Sequence, residues 1–264
     1  MKTILISLTV ITLLGFTLVK AGIFTSHNFK PSSKASAKQF AAINSKEKGF
    51  VVVELFTSEG CSSCPAADAL LGQLASQKKE HVYVLSYHVD YWDRLGWKDA
   101  FSKPEWTARQ SAYIKNFHLE GAYTPQVVVN GTEQFVGSNN LQLYTSVDNE
   151  LNKTEPGDLQ VQASLNQGKI NVTYHSSPLT NATLNVALVQ QKAVTDVKRG
   201  ENHGRHLEHT GIVRELATIN RNDNTGELTF GVPAGFNASD YKIVAFVQNK
   251  SDLKITMAMG SAIQ

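Results

Sequence analysis

Hydrophobic residues change their spacing along the chain. After Lys2 the run Ile4 to Val19 is almost wholly apolar, residues 22–48 show no periodicity, and ordered runs begin at Phe50. Val51–Phe56, VVVELF, is the short β-branched kind of run that fills a buried strand. Thr57–Gly60 breaks it. Pro65, at the first-turn position a helix tolerates, then leads Ala66, Ala67, Ala69, Leu70, Leu71 and Leu74 into a helix ending near Gln77-Lys78-Lys79. His81–His88 predicts a second strand, followed by a loop with Asp90, Tyr91, Trp92, Asp93 and Trp97. Pro104 opens a helix to about Phe117 that carries Trp106, Arg109, Gln110 and Tyr113, and Gly121 ends that region. Thr124-Pro125 introduces a strand over Gln126–Asn130, Asn130-Gly131 a hairpin turn into Gln134–Val136, and Leu141–Leu151 a last helix. The predicted order is βαβαββα.

Beyond Pro156-Gly157 the pattern shifts to short alternating runs, LQVQASL, KINVTYH, ATLNVALVQ, IVRELATI, ELTFGV and YKIVAFVQ, parted by Gly, Pro, Asn and Asp. These predict a β-sandwich. The expected fold class is an α/β domain with a mixed sheet over residues 49–155, followed by an all-β sandwich domain over residues 158–264. A length of 264 residues suits two such units.

The apolar N-terminus predicts an export signal over residues 1–21, with Val19-Lys20-Ala21 offering small residues for cleavage; an uncleaved membrane anchor is the alternative. No cysteine follows the run, which excludes a lipoprotein anchor. Residues 22–48, rich in Ser, Ala and Lys, predict a flexible leader. Membrane contact is expected through this N-terminal segment alone. A net charge of +2 and scattered lysines give no support to a nucleic-acid partner. Export would permit a disulfide. Sequons at Asn130, Asn152, Asn171, Asn181 and Asn237 would matter in a glycosylating secretory pathway.

The only cysteines, Cys61 and Cys64, fall at the predicted N-terminus of the first helix. Unpaired N–H groups and the helix dipole favour a thiolate there, and CxxC spacing lets Cys64 resolve a mixed disulfide formed at Cys61. The same spacing also fits a structural disulfide or half of a zinc site, although no second CxxC is present. Glu54, in an apolar run seven positions before Cys61, is a candidate proton acceptor if its carboxyl is buried without a partner; a wet strand face is the other reading. His88 and Asp90 end the second strand and, with Trp92, are candidates to line the thiol site or to build a rigid aromatic loop. Cys61, Cys64 and His88 together would suit Cu(I) or zinc. In Arg199–Arg214, His203, His206 and His209 suggest metal, but their three-residue spacing does not share a strand face. A long hairpin or loop that packs on the first domain or contacts a partner is the preferred reading there.

The element order, the CxxC and the Thr-Pro before the third strand together resemble the thioredoxin superfamily. VVVELFTSEGCSSCP, YHVDYWDRLGWKD and YTPQVVVNG, with Gly200, Glu201, Asn202, Gly204, Arg205, Leu207, His209, Val213 and Arg214, are similar to an exported thioredoxin-like family designated domain of unknown function 1223. The resemblance implies that Pro125 is cis and shapes a groove with Thr124, that Cys61 and Cys64 act as nucleophile and resolving thiol, that Glu54 stands near a buried acid, and that no cofactor is needed. Glu201, Asn202, Arg205 and His209 belong to its second signature. Two functions follow as expectations: an exported thiol–disulfide oxidoreductase acting on protein or small-molecule thiols and disulfides, or a binding module whose Cys61–Cys64 disulfide is structural.

Overall fold

The computed structural model describes residues 49–77, 79–153, 157–220 and 224–264. The expected signal and leader lie outside them. Among the described residues no helix is long and apolar enough to cross a membrane.

The first half follows the expected βαβαββα order: β1 (Val51–Thr57), α1 (Cys64–Ser76), β2 (Val82–His88), α2 (Pro104–Asn116), β3 (Gln126–Val129), β4 (Glu133–Val136) and α3 (Asn140–Leu151). β1 is buried along its whole length, as its unbroken apolar run requires. Val51, Val53 and Leu55 pack against α1 and α3, whereas Val52 and Phe56 pack with Trp106 and Tyr113 of α2. β1 pairs parallel with β2 and antiparallel with β3. Asn130 and Gly131 form the β3–β4 turn with φ of 44° and 68°. The Asn130 amide accepts from Val52 N at 2.7 Å and donates to Phe50 O and Glu150, so this buried sequon has no free side chain to offer.

The second half supplies β5 (Leu159–Asn166), β6 (Lys169–Ser176), β7 (Ala182–Asp196), β8 (His206–Ile219), β9 (Thr225–Gly231), β10 (Tyr241–Asn249) and β11 (Ile255–Ala262). Here the expected separation into an α/β unit and a sandwich gives way to a shared sheet. Eight strands run β11-β10-β7-β8-β2-β1-β3-β4, while β5, β6 and β9 form a second, three-stranded sheet. The fold is therefore a mixed α/β sheet with helices, joined to an additional sheet. One face of the large sheet is covered by α1 and α3 at one end and by the small sheet at the other. The opposite face holds one continuous cluster, in which Tyr83, Tyr87, Trp106 and Tyr113 meet Val189, Val244 and Phe246.

The junction is narrow. β8 pairs with β2 at Ser86 and Ile212, and Ser86 Oγ donates to Thr210 O at 2.7 Å. Lys103 Nζ donates to Arg214 O from the start of α2. At Gly211 the backbone takes φ +70°, and a Cβ there would stand 2.6 Å from Val84 O. No L side chain fits both the dihedral and the space. Replacement Gly211→Ala is therefore expected to lower unfolding free energy by about 2 kcal/mol or more, measured by urea titration; an unchanged midpoint would show that the junction tolerates a side chain.

Candidate functional site

Cys61 and Cys64 are joined in a disulfide, Cα atoms 5.4 Å apart, at the point where the chain enters α1. Cys64 is the first helical residue and Pro65 occupies the next position, where its missing N–H costs no helical bond. Cys61 N bonds to Ser58 O and Cys64 N to Cys61 O, which folds the connection into a tight loop. Both cysteines are 0% exposed, although Ser62 and Ser63 between them face solvent.

Two structures close over that loop. From the first half comes Trp92: its Cβ packs on Gly60, and its Nε1 donates to Thr124 Oγ1 at 2.9 Å. The Thr124–Pro125 bond is cis. Pro125 and Ala67 both border Gly137, so Pro125 adjoins the start of α1. The second cover is the turn of the long β7–β8 hairpin. Asn202, fully buried, donates through Nδ2 to the carbonyls of Glu59 and Cys61, both at 2.9 Å. Glu201 Oε2 accepts from Ser62 N at 3.1 Å, and hydrogen bonds from Ser62, side chain and backbone, hold the Glu201 carboxyl below its usual range. Arg205 closes the turn through its backbone, taking Asn202 O and giving its carbonyl to Val197 N.

Beneath the loop lies a group of buried ionisable side chains. Asp99 Oδ2 accepts from Glu59 N at 2.8 Å and pairs with His88 Nδ1 at 2.7 Å. Glu59 Oε2 accepts from Trp97 Nε1 at 2.7 Å, and its other oxygen stands 3.4 Å from His209 Nε2. The His88 and His209 rings meet edge to face at 4.9 Å. Asp68, one turn beyond Cys64 on α1, accepts from Thr57 Oγ1 at 3.0 Å. Burial pushes the Asp68 carboxyl up, against the pull of His209 and His88. For His88, burial works downward, but Asp99, Asp68 and Glu59 outweigh it and raise its pKa. Asp99 is opposed by burial too, yet His88 and two backbone N–H groups bring it down. Glu59 Oε1, Asp68 Oδ1, His88 Nε2 and both His209 nitrogens lack a hydrogen-bond partner. Shifted groups with unsatisfied atoms beside a disulfide make this cluster a candidate functional centre.

Among the sequence-derived candidates, Cys61, Cys64, Thr124, Pro125, Trp92, Glu201, Asn202 and His209 are brought together. Glu54 is not. It faces α2, on the side of β1 opposite the α1 packing, where Arg109 Nε lies 2.6 Å from Oε1 and Tyr113 OH donates to Oε2. A proton acceptor required burial without a partner, and Glu54 is buried with two. Asp90 is also engaged elsewhere, accepting from Thr107 Oγ1 at 2.5 Å at the start of α2. His88 sits under the loop as part of the acid–histidine group, not as a third ligand with the cysteines. Among the described residues no group of three or more His, Cys, Asp or Glu is placed to hold a metal ion. His206 instead pairs with Asp196 on the hairpin surface, and His206 and His209 fall on opposite faces of β8.

The sequence does not single out Glu59, Asp68 or Asp99, and it places Trp97 only in the aromatic loop after the second strand. Asp68 had a readable signal: it is four residues from Cys64, a polar residue between Ala67 and Leu70 on a buried helix face.

The sequence pattern described as "Protein of unknown function (DUF1223)" matches residues 52–248, which include every residue of this site. The chain belongs to that family. No curated protein matches it. An X-ray structure of a structural-genomics target from Agrobacterium tumefaciens is similar at 26% identity and TM-score 0.64, over 82% of this chain and 95% of that one. HBP35 of Porphyromonas gingivalis is similar in fold, at 17% identity and TM-score 0.57, over 82% and 76%.

Two outcomes are expected. Glu54→Gln leaves Arg109 buried without its counter-charge and lowers stability by about 3 kcal/mol, with the reduction rate of the disulfide unchanged; a changed rate at unchanged stability would return Glu54 to the site. The His88 pKa is higher folded than unfolded, so its stabilisation is complete below about pH 6.5 and is lost as pH rises through the folded value. Urea midpoints taken from acid to alkaline pH should decline through that window in the wild type and lose the decline in Asp99→Asn. A flat wild-type profile would contradict the pairing.

Proposed function

We propose that this member of DUF1223 is an exported thiol–disulfide oxidoreductase built on a thioredoxin-like scaffold, with Cys61 as the attacking sulfur and Cys64 as the resolving one. The observation that carries the reading is a Cys61–Cys64 disulfide at the N-terminus of α1, flanked through Trp92 by a cis Thr124–Pro125 bond. The βαβαββα order of the first half supports the scaffold, and the apolar stretch after Lys2 supports export to a compartment that permits disulfides.

In the reduced protein, the Cys61 thiolate attacks one sulfur of a client disulfide. A Cys61–client bond forms, the client bond breaks, and the first client sulfur leaves as a thiolate that takes up a proton. Cys64, giving up its proton, then attacks Cys61 Sγ. The second client sulfur leaves, and the Cys61–Cys64 disulfide returns. The client gains the two electrons that the dithiol loses, and the reverse sequence oxidises a client dithiol. Thioredoxin-like proteins commonly pair this chemistry with a buried acid; Asp68, one turn from Cys64 with burial raising its pKa, is better placed for it than Glu54.

A second reading has its own support. Both cysteines are fully buried and the loop carrying them is bonded to the hairpin turn, as suits a structural disulfide in a binding module.

The experiment is kinetic trapping. Cys64→Ser removes the resolving thiol, so client proteins should remain covalently attached through Cys61, whereas Cys61→Ser should retain none. Equal retention by both variants, or none by either, would favour the binding module.

A further inference from the structure

We infer that the turn of the β7–β8 hairpin, carrying Glu201 and Asn202, is a lid that closes the disulfide to exchange and has to lift before any sulfur can be attacked. It is a regulation of the site proposed above and takes its purpose from that reading.

Access comes first. Displacement at sulfur needs the incoming thiolate in line with the S–S bond at bonding distance, and neither Cys61 nor Cys64 has any exposed surface. The exposed neighbours Ser62 and Ser63 show that the loop itself reaches solvent, so the sulfurs are covered rather than deep. What covers the loop on one side is fixed first-half structure, with Trp92 tied to Thr124. On the other side it is residues 197–205.

That turn is built as a unit. Gly204 N bonds to Val197 O, Val197 N to Arg205 O, His203 N to Gly200 O and Arg205 N to Asn202 O. Gly200 and Gly204, at φ +76° and +80°, hold its shape. Its attachment to the loop is by its own side chains: the two bonds from Asn202 Nδ2, and the Glu201 carboxylate accepting from the backbone and side chain of Ser62. Asn202 Oδ1 is buried with no partner, so the closed contact leaves one polar atom unsatisfied and is less than optimal.

The arm that bears the turn extends beyond the edge of the large sheet. Past Gly211, Lys192–Asp196 pair with His206–Thr210 and with no further strand, forming a two-stranded ribbon. The ribbon touches α1 where Thr210 meets Gly72. Between that contact and the turn an open cleft of about 660 Å³ separates the ribbon from α1, bordered by Pro65, Ala69, Gln73, Val194 and His206. A two-stranded ribbon that rests on Glu59, His88 and Phe101 through His209, borders an open cleft along α1 and is tied to the loop at its tip by side-chain hydrogen bonds has the construction of a lid.

The test is the rate at which excess dithiothreitol reduces the oxidised full-length protein, followed by free thiol. Asn202→Ala removes two bonds and is expected to accelerate reduction by about tenfold or more, and Glu201→Ala by about threefold. Glu201 is exposed, so its variant keeps the fold. Unchanged or slower reduction in both variants overturns the lid. Acceleration confined to Asn202→Ala, matched by a lower thermal midpoint, also overturns it, because global unfolding then explains the access. Acceleration in both at an unchanged midpoint supports it. Dithiothreitol needs no client recognition, so a lid can stand where client trapping fails, and trapping with unaltered reduction rates retires the lid alone.

Discussion

At Gly211, in a left-handed conformation where β8 passes against β2, the surroundings of β8 change from the CxxC side to the shared sheet. Ahead of Gly211, Thr210 and His209 lie against α1, Glu59 and His88; behind it, Ile212 and Val213 join the large sheet and its buried cluster. The shared sheet is thus more than a way to cover an edge strand. It carries a segment from the far half of the sequence, Glu201–Asn202, to within hydrogen-bond distance of Cys61 and Ser62.

The two buried polar groups of the interior differ in a way that separates support from chemistry. On the α2 face, Glu54, Arg109, Tyr113 and Gln248 satisfy one another, with Gln248 Nε2 donating to Tyr113 OH at 2.8 Å from the second half of the chain. Burial opposes the Arg109 charge, but Glu54 holds its pKa well above the usual value, and the contact fastens α2 to β1. On the α1 face, Glu59, Asp68, His88 and His209 keep atoms without partners. A satisfied network is stable and inert, whereas unsatisfied buried atoms hold free energy that a change of protonation or conformation can release.

Much of the first half was legible because its apolar runs match their burial: β1 and β2 are buried on both faces, and Pro65 and Pro104 mark helix starts. The Asn-Gly turn was readable for the same local reason. What could not be read is pairing between distant segments. Alternation in Leu159–Leu165 or Lys169–His175 tells which residues face a core, not that β8 would choose β2 as a neighbour. β11, ITMAMGSA, has too little alternation to stand out, and in the outer ribbon the β7 arm is largely exposed while the β8 arm buries just Leu207 and His209, so it carries little core signal. Glu54 was misread because periodicity puts it inside without saying on which face of the sheet. Asp68 shows the converse, a polar residue whose spacing from Cys64 points to the site more directly than its distance from Cys61 does for Glu54.

Burial of the disulfide and the charges below it belong to one argument. Reducing Cys61–Cys64 brings two protons, or a thiolate, to a loop whose carbonyls are shared with Asn202 and whose neighbours include three acids and two histidines. A thiolate so close to Glu59, Asp68 and Asp99 is repelled unless His88 and His209 carry positive charge or the acids are protonated. Raised pKa values at Asp68 and His88 lean toward both conditions. Asp99, held below the usual carboxylate range by His88 and two backbone N–H groups, leans the other way. A closed turn keeps water from these groups, and an open one admits it. Access and charge are coupled through the same few residues, Glu59 and Asn202 above all, because one backbone carbonyl joins the acid group to the lid.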